Sequence, residues 1–176
     1  MLAEHPWSRV DELLDDVRSA AVEADTLPES LALIFHEGRL TAVLETPPFV
    51  AEDADRITRV LCRFLPSTMA DQIAVVWPAG YQAGGETLWA MKVHLWERTK
   101  PSRMRTRIIP VSIKGSVDGP SFEIKPPDPW SRRLAKALPR PPRTPGVIDT
   151  RFPPGFEYYV TPTSPMSEYE PLHLDN

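Results

Sequence analysis

Seven residues on two neighbouring segments have the types and spacing to hold an anion. Lys92, His94, Trp96 and Arg98 alternate along "TLWAMKVHLWER" (87–98), and Arg103, Arg105 and Arg107 alternate along "RMRTRIIPVSIK" (103–114). Every second residue of a strand points to the same face. If the two segments pair with these faces aligned, the basic and titratable groups surround an exposed indole. Arg then grips phosphate oxygens while Trp stacks on a base, the chemistry of a nucleic-acid or other polyanion site. Residues 88–115 carry 7 Lys/Arg against a single acid, Glu97, which strengthens that reading. Ordinary surface competes with it. Residues 1–60 hold 13 acids against 5 Lys/Arg, and residues 152–176 hold four acids and no Lys/Arg. Either block can cover the patch, within the molecule or in a dimer, and Arg and Lys commonly blunt exposed sheet edges. The net charge of −4 also works against long-range steering of nucleic acid.

Other chemistry finds little support in the spacing. His5, His36, His94 and His173 form no paired-ligand pattern, and the one cysteine, Cys62, assembles neither a disulfide nor a cysteine zinc site. No metal or cofactor is expected. Cys62 sits mid-helix beside an apolar stripe, where a small buried side chain is the ordinary role and nothing lowers the thiol pKa. Glu52, Asp53 and Asp55 open a helix, where they favour its dipole. There is no Gly-x-Ser-x-Gly elbow, no Ser-x-x-Lys and no dinucleotide fingerprint. "WPAGYQAGGETLW" (77–89) gathers glycines and aromatics, but a strand follows it. A phosphate cradle needs a helix N-terminus there, so the stretch reads as a hairpin turn. Lys136 to Pro142 fits a basic residue followed by a PxxP spacing, a pattern that a Pro-rich linker also produces.

The elements that must position these residues follow from periodicity. Residues 6–25 read as an amphipathic helix opened by Pro6, with Trp7, Val10, Leu14, Val17 and Ala21 on one stripe. "SLALIFHEGRLTAVLE" reads as a hairpin about Glu37-Gly38, with Leu31, Leu33 and Phe35 on one strand and Leu40, Ala42 and Leu44 on the next. A helix over about 51–65 follows, ended by Pro66. "QIAVVW" (72–77) is a continuous apolar run, as in a strand covered on both faces. Residues 87–98 and 103–114 supply two more strands, Pro110 marking an edge or a bulge. Phe122–Ile124 adds a short strand, and 128–138 a last helix with Pro129 at its start. From Pro139 onward nine prolines interrupt any period, which implies an extended arm over 139–176, docked in part or disordered. Phe152, Phe156, Tyr158, Tyr159 and Val160 are its candidates for docking.

The order is helix, hairpin, helix, three or four strands, helix. That resembles the element order of roadblock/longin-type domains over about 6–138, a resemblance of order alone that carries no functional residue. It implies an α+β fold over 1–138: a two-layer sandwich with three helices against a mostly antiparallel sheet of about five strands. No apolar run reaches the length of a membrane helix, and the first ten residues do not read as a secretory signal. A soluble cytoplasmic protein is expected. The excess of 15 Arg over 5 Lys and the lone Asn176 suit a GC-rich bacterial genome. The functional expectation is a non-enzymatic binding or adaptor domain that engages a protein partner or itself. The alternatives are a polyanion binder through the Trp96 face and an enzyme of a type these motifs do not reveal.

Overall fold

The computed structural model describes residues 8–47, 54–99, 102–138 and 151–160. Three helices, α1 (Ser8–Ala24), α2 (Ala54–Thr68) and α3 (Pro129–Ala137), accompany seven strands. The strands are β1 (Leu31–His36), β2 (Arg39–Glu45), β3 (Gln72–Ala83), β4 (Glu86–Glu97), β5 (Arg103–Pro110), β6 (Phe122–Ile124) and β7 (Glu157–Val160). They form one sheet in the order β6-β5-β4-β3-β1-β2-β7, antiparallel at every pairing. The class is α+β, and the element order as far as α3 is the one that periodicity implies.

Helices cover both faces of this sheet. Val10, Leu14 and Ala21 of α1 pack on Leu31, Leu33, Phe35, Ala74, Val76, Met91, Val93, Leu95 and Ile109. On the other face α2 and α3 bury Ile57, Leu61, Phe64, Trp130 and Leu134 against Ala32, Ile34, Ile73, Val75, Trp77 and Trp96. The alternation within β1, β3 and β4 therefore separates two cores rather than a core from solvent. Residues 72–77 are buried without a break, as their apolar run requires.

Turns are set by residues that tolerate positive φ. Glu37 (φ 49) and Gly38 (φ 74) join β1 to β2, and Gly84 (φ 59) and Gly85 (φ 82) join β3 to β4 between the paired Ala83 and Glu86. Two consecutive positive values match the twist of the flanking strands. The glycine-rich stretch is a hairpin.

Three local differences from the periodic reading have physical causes, and the edge position expected of Pro110 is met. The pairing of β1 with β2 skips Thr41, because Ile34 faces Ala42 while Phe35 faces Leu40. This bulge turns Leu40 toward the α1 core, whereas Ala42 and Leu44 lie in the α2/α3 core. Helix α2 runs through Pro66 to Thr68, with Met69 at φ 55 just beyond. A proline in the last turn forfeits one backbone bond, and Thr68 Oγ1 donates to the Leu65 carbonyl at 2.7 Å there. Pro110 pairs with Ala90 but lies past the three residues that pair with β6, so its missing N–H faces an open edge. Finally, the Pro-rich tail contributes a strand. β7 pairs with β2 (Glu45 with Glu157, Val43 with Tyr159), and Phe152, Phe156, Tyr158 and Val160 pack on the α2/α3 core. Pro6, Trp7, Glu52, Asp53 and the PxxP segment 139–142 lie outside the described residues.

Candidate functional site

The register of β4 on β5 decides the fate of the seven candidate residues. Val93 faces Arg107, Leu95 faces Arg105 and Glu97 faces Arg103. Directly opposed residues share a face, so the three arginines lie on the α1 side of the sheet while Lys92, His94 and Trp96 lie on the α2/α3 side. A one-residue shift in register would reverse this. The single basic face around an exposed indole does not form. Trp96 is 2% exposed and belongs to the α2/α3 core, and the Arg98 guanidinium sits 5.0 Å from its ring centroid. Burial pulls the Arg98 pKa below its ordinary value, with Asp71 opposing that shift.

Most of these cations have partners in the same molecule. Arg107 bonds Asp11 of α1 at 2.6 Å, Arg105 bonds Glu123 at 2.6 Å and Lys92 bonds Asp128 at 2.5 Å. The hydrogen bond from Arg105 is the main reason that the Glu123 carboxyl lies below the usual range. The acidic helix does cover part of the basic block.

His94 anchors a buried polar cluster instead of a binding face. Asp128 caps α3 by accepting the Trp130 N–H at 2.9 Å, which brings Ser131 over β4. His94 Nδ1 lies 2.5 Å from Ser131 Oγ, and Thr106 Oγ1 lies 3.3 Å from the same oxygen. Thr106 in turn accepts the Asp128 N–H at 3.0 Å. The imidazole also packs edge-on against Trp77 and Trp130, each centroid 4.9 Å away. Desolvation drives the His94 pKa down to about 3, outweighing attraction to Asp128, so the ring is neutral at pH 7. A Ser–His pair with a nearby Asp has the parts of a nucleophile and its base. Here Ser131 is 0% exposed beneath α3, so a substrate would have to displace the helix. The cluster's work is to seat α3 on the sheet. Cys62 is inert by the same reasoning, since burial raises its thiol pKa and Sγ donates to the Ala137 carbonyl at 3.4 Å.

The tertiary structure builds a different basic surface. Helices α2 and α3 lie side by side, tied by the Trp130 indole N–H donating to Thr58 Oγ1 at 3.0 Å. Arg56, Arg59 and Arg63 recur at helical spacing on the solvent side of α2, and Arg132, Arg133 and Lys136 do so on α3; all six are exposed. Arg59, Arg63, Arg132, Arg133 and Lys136 have no acidic partner among the described residues. The α1 layer on the opposite side exposes Asp11, Glu12, Asp15, Asp16 and Glu23. The molecule is thus electrically two-sided. Spacing within each helix was available as a signal for the basic layer, but nothing local says that two helices far apart in sequence lie together.

Among the described residues no group of three or more His, Cys, Asp or Glu is placed to hold a metal ion, and no helix is long and apolar enough to cross a membrane. Comparison with known protein families, curated proteins and solved structures finds no match to this chain.

Proposed function

We propose that the protein is a non-catalytic binding domain that takes an acidic protein surface on the α2/α3 layer. The observation that carries this reading is the set of five exposed cations on two adjacent helices, without acidic partners among the described residues. Arg is favoured at protein interfaces because its planar fork meets carboxylates with two parallel bonds. The chemistry of the layer supports protein over nucleic acid or lipid. Its aromatic residues, Phe64 and Trp130, are 0% and 3% exposed and offer no stacking platform. Among the described residues the exposed large apolar side chains are Val22, Leu27, Val117, Phe122 and Tyr159, none of them on α2 or α3, so the described part of the layer offers no large apolar side chain to a membrane. The α1 face of a second copy is one acidic surface of the right kind, so self-association falls within the reading.

Fluorescence anisotropy with a labelled polyglutamate peptide, at low and high salt, tests this. Binding is expected at low salt and weakens as salt rises. The combined variant Arg59→Glu/Arg63→Glu/Arg133→Glu should lose it by roughly tenfold to a hundredfold, from about 0.5 kcal/mol for each surface pair plus added repulsion. Circular dichroism should show the fold unchanged. Binding that survives the triple reversal would reject the surface. Tighter binding of an oligonucleotide of equal charge would transfer the site to nucleic acid.

A further inference from the structure

The β3–β4 hairpin reaches past β1 and leaves one edge of β3 open. β3 pairs with β4 along its whole length, from Gln72 with Glu97 to Ala83 with Glu86, but with β1 only from Gln72 to Val76. The direction of each backbone group beyond Val76 follows from that pairing. The two-residue turn makes Ala83 and Glu86 a hydrogen-bonded pair, and at the other end the Arg98 N–H donates to the Asp71 carbonyl at 2.7 Å. Both fix the same phase, so the odd-numbered residues of β3 direct their N–H and C=O groups to β4. The even-numbered ones turn theirs the other way, toward β1 as far as Val76 and toward open space at Pro78, Gly80 and Gln82. Gly80 and Gln82 are exposed, and among the described residues no backbone bond joins either to a further segment.

This edge lacks the devices that guard the others. Open edges attract foreign strands, and proteins blunt them with charge, proline or a bulge. Among the described residues the outermost strands, β6 and β7, carry Glu123 and Glu157. The free end of β2 carries Arg39 and the bulge at Thr41, and β5 beyond β6 carries Arg103 and Pro110. Residues 77–85 hold no charged residue at all. Pro78 lacks a donor at its own position but leaves those of Gly80 and Gln82 intact. The absence of charge matters most for a like partner, since a two-fold axis sets the edge against itself and would oppose like charges. The edge is also self-complementary. In an antiparallel pairing of two β3 edges with Tyr81 opposite Tyr81, Gly80 of each copy meets Gln82 of the other. The two outward N–H groups of each copy, four in all, then find the four outward carbonyls of Gly80 and Gln82. Moving the axis to Gly80 sets Gln82 against Pro78, which has no N–H to give, and moving it to Gln82 sets Gly80 against Gly84 in the turn.

We propose that the β3 edge at Gly80–Gln82 is a self-association surface, on which a second copy of this chain lays its own β3 antiparallel, so that two sheets become one across a two-fold axis at Tyr81. Main-chain bonds carry the contact, as in other cases of strand addition. A pairing of this length buries less than the roughly 1,200 Å² of a stable complex, so the dimer is weak and its population rises with concentration. The surface is separate from the α2/α3 layer and does not rest on that reading. Salt leaves it unchanged, whereas contact of the α2/α3 layer with an acidic surface weakens as salt rises.

Sedimentation velocity of the full chain from about 10 μM to about 1 mM, at low and high salt, tests this. A monomer–dimer equilibrium insensitive to salt is expected. Gln82→Pro removes one outward N–H from each copy, at a position where the monomer makes no use of it, and should weaken the dimer roughly thirtyfold with circular dichroism unchanged. Gln82→Ala gives up only the side-chain bond to Thr87 Oγ1 at 2.9 Å and should dimerise as wild type does. The α2/α3 variant Arg59→Glu/Arg63→Glu/Arg133→Glu should also dimerise unchanged. Cysteine cross-linking in a Cys62→Ser background reads the register. Opposed residues at the axis have Cα atoms about 4.5 Å apart, within disulfide reach, so Tyr81→Cys should link two copies when oxidised by diamide. Ala79→Cys, set against the second copy's Ala83, should not. A monomer throughout the concentration range, a dimer that Gln82→Pro weakens no more than Gln82→Ala does, or cross-linking of Ala79→Cys as fast as Tyr81→Cys would each overturn the proposal.

Discussion

Acidification should destabilise this protein through one residue, His94. In the folded chain its pKa falls from 6.5 to about 3, because desolvation under α3 disfavours the imidazolium more than Asp128 favours it. The unfolded chain regains the ordinary value and binds a proton that the folded chain refuses. A depressed folded pKa means that the full stability is present above about pH 6.5 and is lost as pH falls toward 3. Each pH unit within that window removes about 1.4 kcal/mol. From pH 7.5 to pH 5 the loss from this group is about 2 kcal/mol, a large share of the 5–15 kcal/mol typical of a domain. Urea unfolding at a series of pH values, in wild type and His94→Gln, isolates the term. Gln does not titrate and can still bond Ser131 Oγ. Carboxylates remote from His94 contribute equally to both proteins and cancel in the difference. Wild type should lose about 2 kcal/mol relative to the variant on going to pH 5. Parallel curves would refute the reasoning, since His94 would then protonate in the folded state without penalty and could not lie in a dry cluster.

Three further outcomes follow from packing and backbone geometry. Trp130, 3% exposed with the Trp77 ring at 4.5 Å, joins α3 to α2 and the sheet; Trp130→Ala should cost about 3–5 kcal/mol in a denaturant titration, and a cost under 1 kcal/mol would mean α3 is not seated as described. Gly85→Ala places a side chain at φ 82 with open space around it, so about 1–2 kcal/mol of backbone cost is expected with no steric term; a stabilising effect in thermal melts would contradict the turn geometry. Phe152 and Tyr158 both contact the Phe64 ring, at 5.6 and 5.7 Å. Replacing both by Ala should release β7, seen as faster hydrogen exchange at 158–160 with little change in the β3–β4 hairpin.

The division between local and long-range information runs through particular residues. Alternation marks Met91, Val93 and Leu95 as one face of β4, and the double glycine at 84–85 specifies its hairpin, because both depend only on neighbours in the chain. The amphipathic stripes of α1 and α2 are legible for the same reason. Composition likewise shows the contrast between an acidic first third and basic later segments. What the alternation of β4 cannot say is whether its second face meets water. Lys92, His94 and Trp96 look like a solvent face until α3, more than thirty residues later, lays Ser131 and Trp130 over them. Nor can spacing choose the register that sends Arg103, Arg105 and Arg107 to the opposite side, since a shift of one residue leaves both strand patterns intact and exchanges the faces. The β7 strand was hidden because it is four residues long among prolines and earns its place only by pairing with β2 and packing on Phe64. The basic α2/α3 layer shares that origin: it gathers charges from segments far apart in the chain, so it exists only once the sheet has brought those segments together.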